Sequence, residues 1–114
     1  MTTIVIEKSP DGAYKGFTCM GHAGFARKGK PDILCSAISA LSIHTINGLE
    51  KAAGQKLDVT DNESTGFMRC IILDEPGEGA RCLMDSFVYS IEKLSEDYGD
   101  RFLQIQFKEV NDNA

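Results

Sequence analysis

Two residues of this 114-residue chain have side chains that could perform acyl-transfer chemistry together. Cys35 lies three residues after Asp32, a good N-cap residue, in the first turn of a predicted helix, where backbone N–H groups and the helix dipole stabilise a thiolate. The same N–H groups can receive negative charge that develops on a substrate carbonyl oxygen. His22 ends a predicted strand, and the intervening loop is long enough to bring its ring back to Cys35. The spacing therefore indicates a Cys35 nucleophile, with His22 accepting the thiol proton and then protonating a leaving amine.

Two neighbouring residues could support this pair or serve the helix alone. Asp32 either caps the helix only or also orients the His22 ring. Ser39 lies one turn beyond Cys35 on the same face, where its hydroxyl either donates a hydrogen bond near the thiol or satisfies a helix carbonyl. Cys35 itself has a structural interpretation as well, because cysteines in buried helices commonly act as small hydrophobic residues.

The remaining cysteines favour a structural role over a metal site. Cys19, Cys70 and Cys82 fall on predicted strands or beside an apolar stripe, as expected of core or inert surface thiols. Cys19 and His22 have a two-residue ligand gap, and Cys35 could add a third zinc ligand. Side chains three apart on a strand point to opposite faces, however, and no second closely spaced pair completes a tetrahedron. We therefore expect neither a metal nor any other cofactor.

The segment between the two candidate catalytic residues has the composition of a loop. Residues 21–32 contain three glycines and Pro31 and show no sustained hydrophobic periodicity, which predicts a mobile loop. Its cations, Arg27, Lys28 and Lys30, either raise the positive potential near the thiol or are simply solvated.

Hydrophobic patterning predicts a single α+β sheet protein, of the α/β class in the broad sense, with elements in the order strand, strand, helix, strand, strand, helix, strand. The sheet is expected to be mostly antiparallel and to carry both helices on one face. The predicted strands are Thr3–Glu7, Gly16–Met20, Leu57–Asp61, Phe67–Leu73 and an alternating run from Leu103 to Lys108. The first helix is predicted from Ile33 to Ala53, with apolar residues on more than one face, and the second is an amphipathic helix ending at Gly99.

Length, charge and cysteine content limit the number of domains, the partners and the cellular location that we expect for this chain. The length predicts one domain over residues 1–110 with a polar tail at 111–114. A net charge of -5 and a pI near 4.9 disfavour direct binding to nucleic acid and are compatible with a basic protein partner. The four dispersed cysteines are read as reduced thiols, and short apolar runs without a signal peptide lead us to expect a cytoplasmic protein that does not span a membrane.

The two motifs together resemble a known family. GHAG at 21–24 followed by DILCSAISAL at 32–41 resembles the Prp family of bacterial ribosomal-processing cysteine proteases, and GLE at 48–50 also fits. The resemblance extends over nearly the whole chain in the order of elements. It implies a cysteine endopeptidase that removes the N-terminal extension of a large-subunit ribosomal protein and so supports ribosome assembly, with Cys35 as nucleophile and His22 as base.

The resemblance carries further expectations about assembly and peptide entry. Members of this family typically form homodimers, which would cover the second apolar face of the first helix. The glycine-bearing loop is expected to move to admit a peptide, with Gly24 and Gly29 at hinge positions. The loop is about one residue longer than the family form, and Pro31 stiffens its exit.

A function of another class also fits the residues. The same acidic dimer could be a non-catalytic, ribosome-associated assembly factor that binds a ribosomal or other basic protein. In that case Cys35 is a packed core residue, and its thiol reacts no faster than the other three.

Overall fold

The computed structural model describes residues 1–26 and 32–110, which form a five-stranded mixed sheet and two helices. The strands are β1 Thr2–Lys8, β2 Tyr14–Met20, β3 Leu57–Asn62, β4 Phe67–Ile72 and β5 Leu103–Glu109, and the helices are α1 Ile33–Asn47 and α2 Glu78–Tyr98. The expectations for Gly29, Pro31, the three loop cations and the tail at 111–114 lie outside the described residues.

The sheet has the order β3-β4-β2-β1-β5, so β2 is its central strand. β1 and β2 pair antiparallel with Ile4 opposite Cys19, and β2 pairs antiparallel with β4. β5 pairs parallel to β1 with Ile105 opposite Ile4, and this is the one parallel pair among the described strands. The predicted order of elements and the mostly antiparallel sheet are therefore confirmed.

Both helices cover the same face of the sheet, as predicted. In β1, buried residues alternate with half-buried ones, as a strand with one covered face requires. The central contact joins Phe17 of β2 and Phe87 of α2, whose ring centroids lie 4.4 Å apart. The largest fully buried side chains of the core are Ile4, Ile6, Phe17, Leu34, Leu49, Ile72, Met84, Ile91 and Leu103.

The end of the first helix differs from the predicted single helix to Ala53. The α-helix ends at Asn47 and continues as a wider π-helical turn, Gly48–Ala52. At Gly48 an added Cβ would lie 3.1 Å from the side chain of Leu83, so the missing side chain lets this turn approach α2 closely. The sequence GLE at this position thus marks a helix-to-helix contact as well as a helix end.

The segment Ile33–Ala52 is long and apolar enough to meet a length-and-composition criterion for a membrane-spanning helix. This is weak evidence for a membrane, because core helices of water-soluble domains meet the same criterion. In this chain the segment packs on the sheet through its buried residues Leu34, Ile38 and Leu49.

The central aromatic contact predicts a large loss of stability on truncation. Phe17→Ala should lower the free energy of unfolding by about 3–5 kcal/mol, because it removes a fully buried ring and leaves a cavity beside Phe87. Tyr89→Ala is the control, since this side chain is 75% exposed and its loss should change stability by about 0.5 kcal/mol or less. Denaturant titrations followed by circular dichroism measure both, and equal midpoints for the two variants would contradict this packing.

Candidate active site

Asp32 fixes the start of α1 and ties it to the segment that follows β2. Its backbone is extended at the N-cap, and its carboxylate Oδ1 accepts a hydrogen bond from the Cys35 N–H at 3.0 Å. Its Oδ2 accepts from the Phe25 N–H, also at 3.0 Å. Burial alone would raise the pKa of the Asp32 carboxyl, but these backbone donors together outweigh it and hold the pKa below its usual range. Both carboxylate oxygens thus accept hydrogen bonds from backbone N–H groups. The His22 ring is hydrogen-bonded to the carbonyl of Ser64 and, among the described residues, not to Asp32.

The Cys35 thiol receives a hydrogen bond from a backbone group outside its helix. The N–H of Ala23 donates to Cys35 Sγ at 3.0 Å, and Ala23 is almost completely buried. Two N–H groups in the first turn of the helix are already committed, since that of Cys35 donates to the Asp32 side chain and that of Ser36 to the Asp32 carbonyl. These two N–H groups are therefore not free to stabilise the sulfur or a substrate oxygen, contrary to the expectation from the sequence. A hydrogen-bond donor to the Cys35 sulfur comes instead from the connection between β2 and α1.

The His22 ring lies just beyond the end of the central strand. Gly21 precedes it with a left-handed φ of 85°, and an added Cβ there would meet the Met1 carbonyl oxygen at 2.7 Å, so glycine is needed for this turn. The ring is exposed, and its Nε2 lies 3.3 Å from the carbonyl oxygen of Ser64, in the turn between β3 and β4. Within the described residues, the ring and the Cys35 thiol are not hydrogen-bonded to each other.

Cys35 and His22 line one cavity of about 220 Å³. Its walls come from the start of β1 and the end of β2, from one side of α1, and from the turn between β3 and β4 with the residues beside it. The lining residues are Thr2, Cys19, Gly21, His22, Cys35, Ile38, Ser39, Ser42, Ile43, Asp61, Asn62, Glu63, Gly66, Phe67 and Met68. A thiol and an imidazole on one cavity of this kind suit nucleophilic attack on a bound acyl group.

The supporting residues named from the sequence occupy different places. Ser39 lines the cavity, and within the described part of the chain its hydroxyl makes neither of the two hydrogen bonds considered above. Gly24 has a left-handed φ of 68° and lies between the Ala23 and Phe25 N–H donors. Asp32 caps the helix outside the cavity lining.

The other three thiols have surroundings unlike that of Cys35. Burial raises the pKa of Cys19 to about 11, and its Sγ lies 3.6 Å from the Ser42 hydroxyl. Burial raises the pKa of Cys70 to about 12, with the nearby Asp58 charge acting in the same direction. Cys82 is exposed on α2. Residues 1–26 and 32–110 contain no group of three or more His, Cys, Asp or Glu side chains that could hold a metal ion.

Two parts of the site were missed in the sequence. The role of the Ala23 N–H as a donor cannot be recognised from the sequence, because every residue except proline carries a backbone N–H. The turn between β3 and β4 was predicted as a turn from Asn62 to Gly66, but its contact with His22 spans 42 residues of sequence. Such a contact depends on the pairing of β2 with β4, which local patterns do not reveal.

Most of the chain matches a known protein family. The model of a family described as cysteine protease Prp matches residues 1–103. No curated protein sequence gives a significant match.

Solved structures share the fold at low sequence identity. A crystal structure of an essential ribosomal processing protease Prp from Staphylococcus aureus, in complex with a covalently linked product peptide, has a TM-score of 0.86 at 20% identity, covering 95% of this chain and 100% of that chain. The same protease with a substrate peptide has a TM-score of 0.83 at 19% identity and the same coverage. A protein from Streptococcus mutans has a TM-score of 0.80 at 24% identity, covering 96% of this chain and 99% of that chain.

The contrast among the four thiols predicts selective labelling. At about pH 7, iodoacetamide should modify Cys35 at least about tenfold faster than Cys82, because a hydrogen bond to a charged group contributes about 1.5–3 kcal/mol. Cys82 is the internal control, since it is more exposed than Cys35 and carries no such donor among the described residues. Cys19 and Cys70 should react only on unfolding. Peptide mapping by mass spectrometry gives all four rates, and labelling of Cys82 before Cys35 would contradict thiolate stabilisation by Ala23.

Proposed function

This chain belongs to the Prp family of cysteine proteases, and from that premise we propose that it is an endopeptidase with Cys35 as nucleophile and His22 as general base and acid. The meeting of this thiol and this ring on one cavity, with the Ala23 N–H directed at the sulfur, carries the proposal. Asp32 supports the pair indirectly, since it holds the thiol-bearing turn and the residues after His22 together.

The proposed reaction has two acyl-transfer steps. His22 takes the thiol proton, the sulfur of Cys35 bonds to the carbonyl carbon of the peptide, and negative charge develops on the carbonyl oxygen. The C–N bond then breaks, and the amine leaves with the proton from His22. In the second step His22 removes a proton from water, and the resulting hydroxide attacks the thioester carbonyl. The C–S bond then breaks, the leaving sulfur takes the proton back from His22, and the products are a carboxylic acid, the free thiol and the neutral ring.

The Ala23 N–H has a proposed role that changes during the first step. It donates to the sulfur while the sulfur carries negative charge. When the sulfur bonds to carbon, it becomes a neutral thioether-like atom and a weak acceptor. The N–H is then available to the negative charge on the neighbouring carbonyl oxygen, which needs donors at that moment.

The proposed substrate is a basic, extended segment of protein. Asp61 and Glu63 line the cavity at the end of β3 and in the turn that follows it, and the chain as a whole carries a charge of -5. These features support a cationic peptide, such as the N-terminal extension of a large-subunit ribosomal protein, whose removal would support ribosome assembly. Staphylococcus aureus Prp is described as a ribosomal processing protease and has been solved with product and substrate peptides, which supports a peptide segment of a ribosomal protein as the substrate. The proposed site of action is the cytoplasm.

A homodimer is part of the proposal. Ile33 at the start of α1 lies outside the cavity lining and is 64% exposed in the single chain, which is unusual for isoleucine on a core helix. A second copy packed against the start of α1 would remove this side chain from water.

Cleavage of the proposed substrate tests the two catalytic roles. Wild-type protein mixed with the host's full-length ribosomal protein should release one N-terminal fragment, visible as a mass change over time. Cys35→Ala and His22→Ala should each lower kcat/KM by at least about a thousandfold, because the two residues act as one unit. Cys82→Ala is the matched control, since it removes a thiol outside the cavity and should retain full activity.

The outcomes separate the protease from the assembly factor. Binding without any mass change would favour the non-catalytic role in ribosome assembly. Cleavage that survives Cys35→Ala would remove the thiol from the mechanism.

The acidic side of the cavity predicts an electrostatic component of substrate binding. The double variant Asp61→Asn/Glu63→Gln should raise KM for a lysine-containing peptide by about two- to thirtyfold with little change in kcat, since exposed ion pairs each contribute about 0.2–1 kcal/mol. The loss should shrink at high ionic strength. Asp85→Asn/Glu92→Gln on α2 changes the net charge equally outside the cavity lining and serves as the control. Equal effects of the two double variants would point to overall charge rather than to this wall.

A further inference from the structure

The turn between β3 and β4 contacts His22 in two ways. We call residues 62–66 the hairpin tip. The Ser64 carbonyl oxygen lies 3.3 Å from His22 Nε2. Gly66 has a left-handed φ of 67°, and an added Cβ there would lie 2.6 Å from the Gly21 carbonyl oxygen and 3.2 Å from Cε1 of the His22 ring. The hairpin tip therefore touches both the ring and the backbone that carries it.

The hairpin tip holds its own shape through local hydrogen bonds. The Asn62 Oδ1 accepts from the Ser64 N–H at 3.2 Å and from the Ser64 hydroxyl at 2.8 Å. The Gly66 N–H donates to the Glu63 carbonyl at 3.2 Å. An asparagine side chain that binds the backbone two residues later is a common way to fix a turn. Hydrogen bonds within the hairpin tip thus fix the direction of the Ser64 carbonyl without any contribution from His22.

We propose that the hairpin tip is a positioning element for His22, in which the Ser64 carbonyl fixes the tautomer of the ring and makes Nδ1 the basic atom. A carbonyl oxygen can only accept a hydrogen bond, so Nε2 must carry the hydrogen. In the neutral ring Nδ1 then has the free lone pair. This inference rests on the proposed function, because it gives His22 the role of base toward Cys35.

The proton balance of the reaction follows from this assignment. The thiol proton moves to Nδ1, and the ring becomes an imidazolium with hydrogens on both nitrogens. The Nε2–H continues to donate to the Ser64 carbonyl, and this bond strengthens while the ring is charged. Nδ1 then gives its hydrogen to the leaving amine, which restores the starting tautomer.

Nitrogen NMR of the wild-type protein tests the tautomer directly. With ¹⁵N-labelled histidine, the ring nitrogen that carries hydrogen is distinguished from the bare one by its chemical shift and its couplings to ring protons. The neutral His22 ring should be the Nε2–H tautomer, and His22→Ala identifies its signals. A neutral ring with hydrogen on Nδ1 would overturn the proposal whatever the activities of the variants.

Gly66→Ala tests the contact by kinetics, with Gly12→Ala as its matched control. Both glycines have left-handed φ angles in hairpin turns, so both variants carry a backbone penalty, but nothing lies within 4 Å of a Cβ added at Gly12. Gly66→Ala should lower kcat by about ten- to a hundredfold with KM nearly unchanged, because a displacement of about 1 Å in a catalytic group can cost that much. Gly12→Ala should keep kcat within about twofold of wild type.

A double variant separates positioning from general destabilisation. His22→Ala/Gly66→Ala should be no slower than His22→Ala alone, since a positioning element has no effect once the ring is gone. Additive losses would overturn the proposal. If His22→Ala itself leaves activity intact, the dyad fails and this inference with it. If His22→Ala is inactive while Gly66→Ala matches Gly12→Ala, the dyad stands and only the hairpin tip loses its role. Should Gly66→Ala fail to fold, Asn62→Ala replaces it, with the same expected loss of kcat.

Discussion

The Asp32 carboxylate is the contact on which the arrangement of the site depends. One oxygen holds the first turn of α1 through the Cys35 N–H, and the other holds the chain after β2 through the Phe25 N–H. Ala23 lies between His22 and Phe25, so this double tie also sets where its N–H meets the sulfur. The lowered pKa of the carboxyl keeps it anionic in neutral solution, and the tie is strongest in that form. The same carboxylate therefore caps the helix and positions the backbone donor of the Cys35 sulfur.

The same cavity contains two thiols, and their surroundings explain why only one suits catalysis. Cys19 faces the core beneath α1, where burial raises its pKa and disfavours the thiolate. Cys35 is half-buried at the helix start and receives a backbone N–H donor. The distinction comes from position on the two elements, since β2 points Cys19 inward while the first turn of α1 opens onto the cavity. Two cysteines on one cavity thus differ in burial and in hydrogen-bond donors, the two factors that control the nucleophilicity of a thiol.

Local patterns were sufficient for most of the fold and for the placement of Cys35 in the first turn of α1. The alternation of β1 and the apolar stripe of α2 predicted their faces, because burial on one side imposes these periods. Asp32 before an apolar run predicted the helix start, and so the position of Cys35 within the first turn. The parallel pairing of β5 with β1 and the π-helical turn at Gly48–Ala52 were not predicted. Both depend on contacts between segments far apart in sequence, which single-segment patterns do not contain.

The register of the central strands links the position of the His22 ring to the wall of the cavity. β2 pairs with β4 so that Cys19 lies opposite Met68, and this pairing carries the hairpin tip to the end of β2, where His22 follows. A shift of one residue in this pairing would exchange the faces of β4 and move the tip away from the ring. The acidic wall, which includes Asp61 and Glu63, belongs to the same hairpin and would move with it. Because one hairpin both lines the cavity and touches the His22 ring, a change in its sequence that alters the cavity wall also acts on the position of the ring, whereas the thiol held by Asp32 and Ala23 keeps its place.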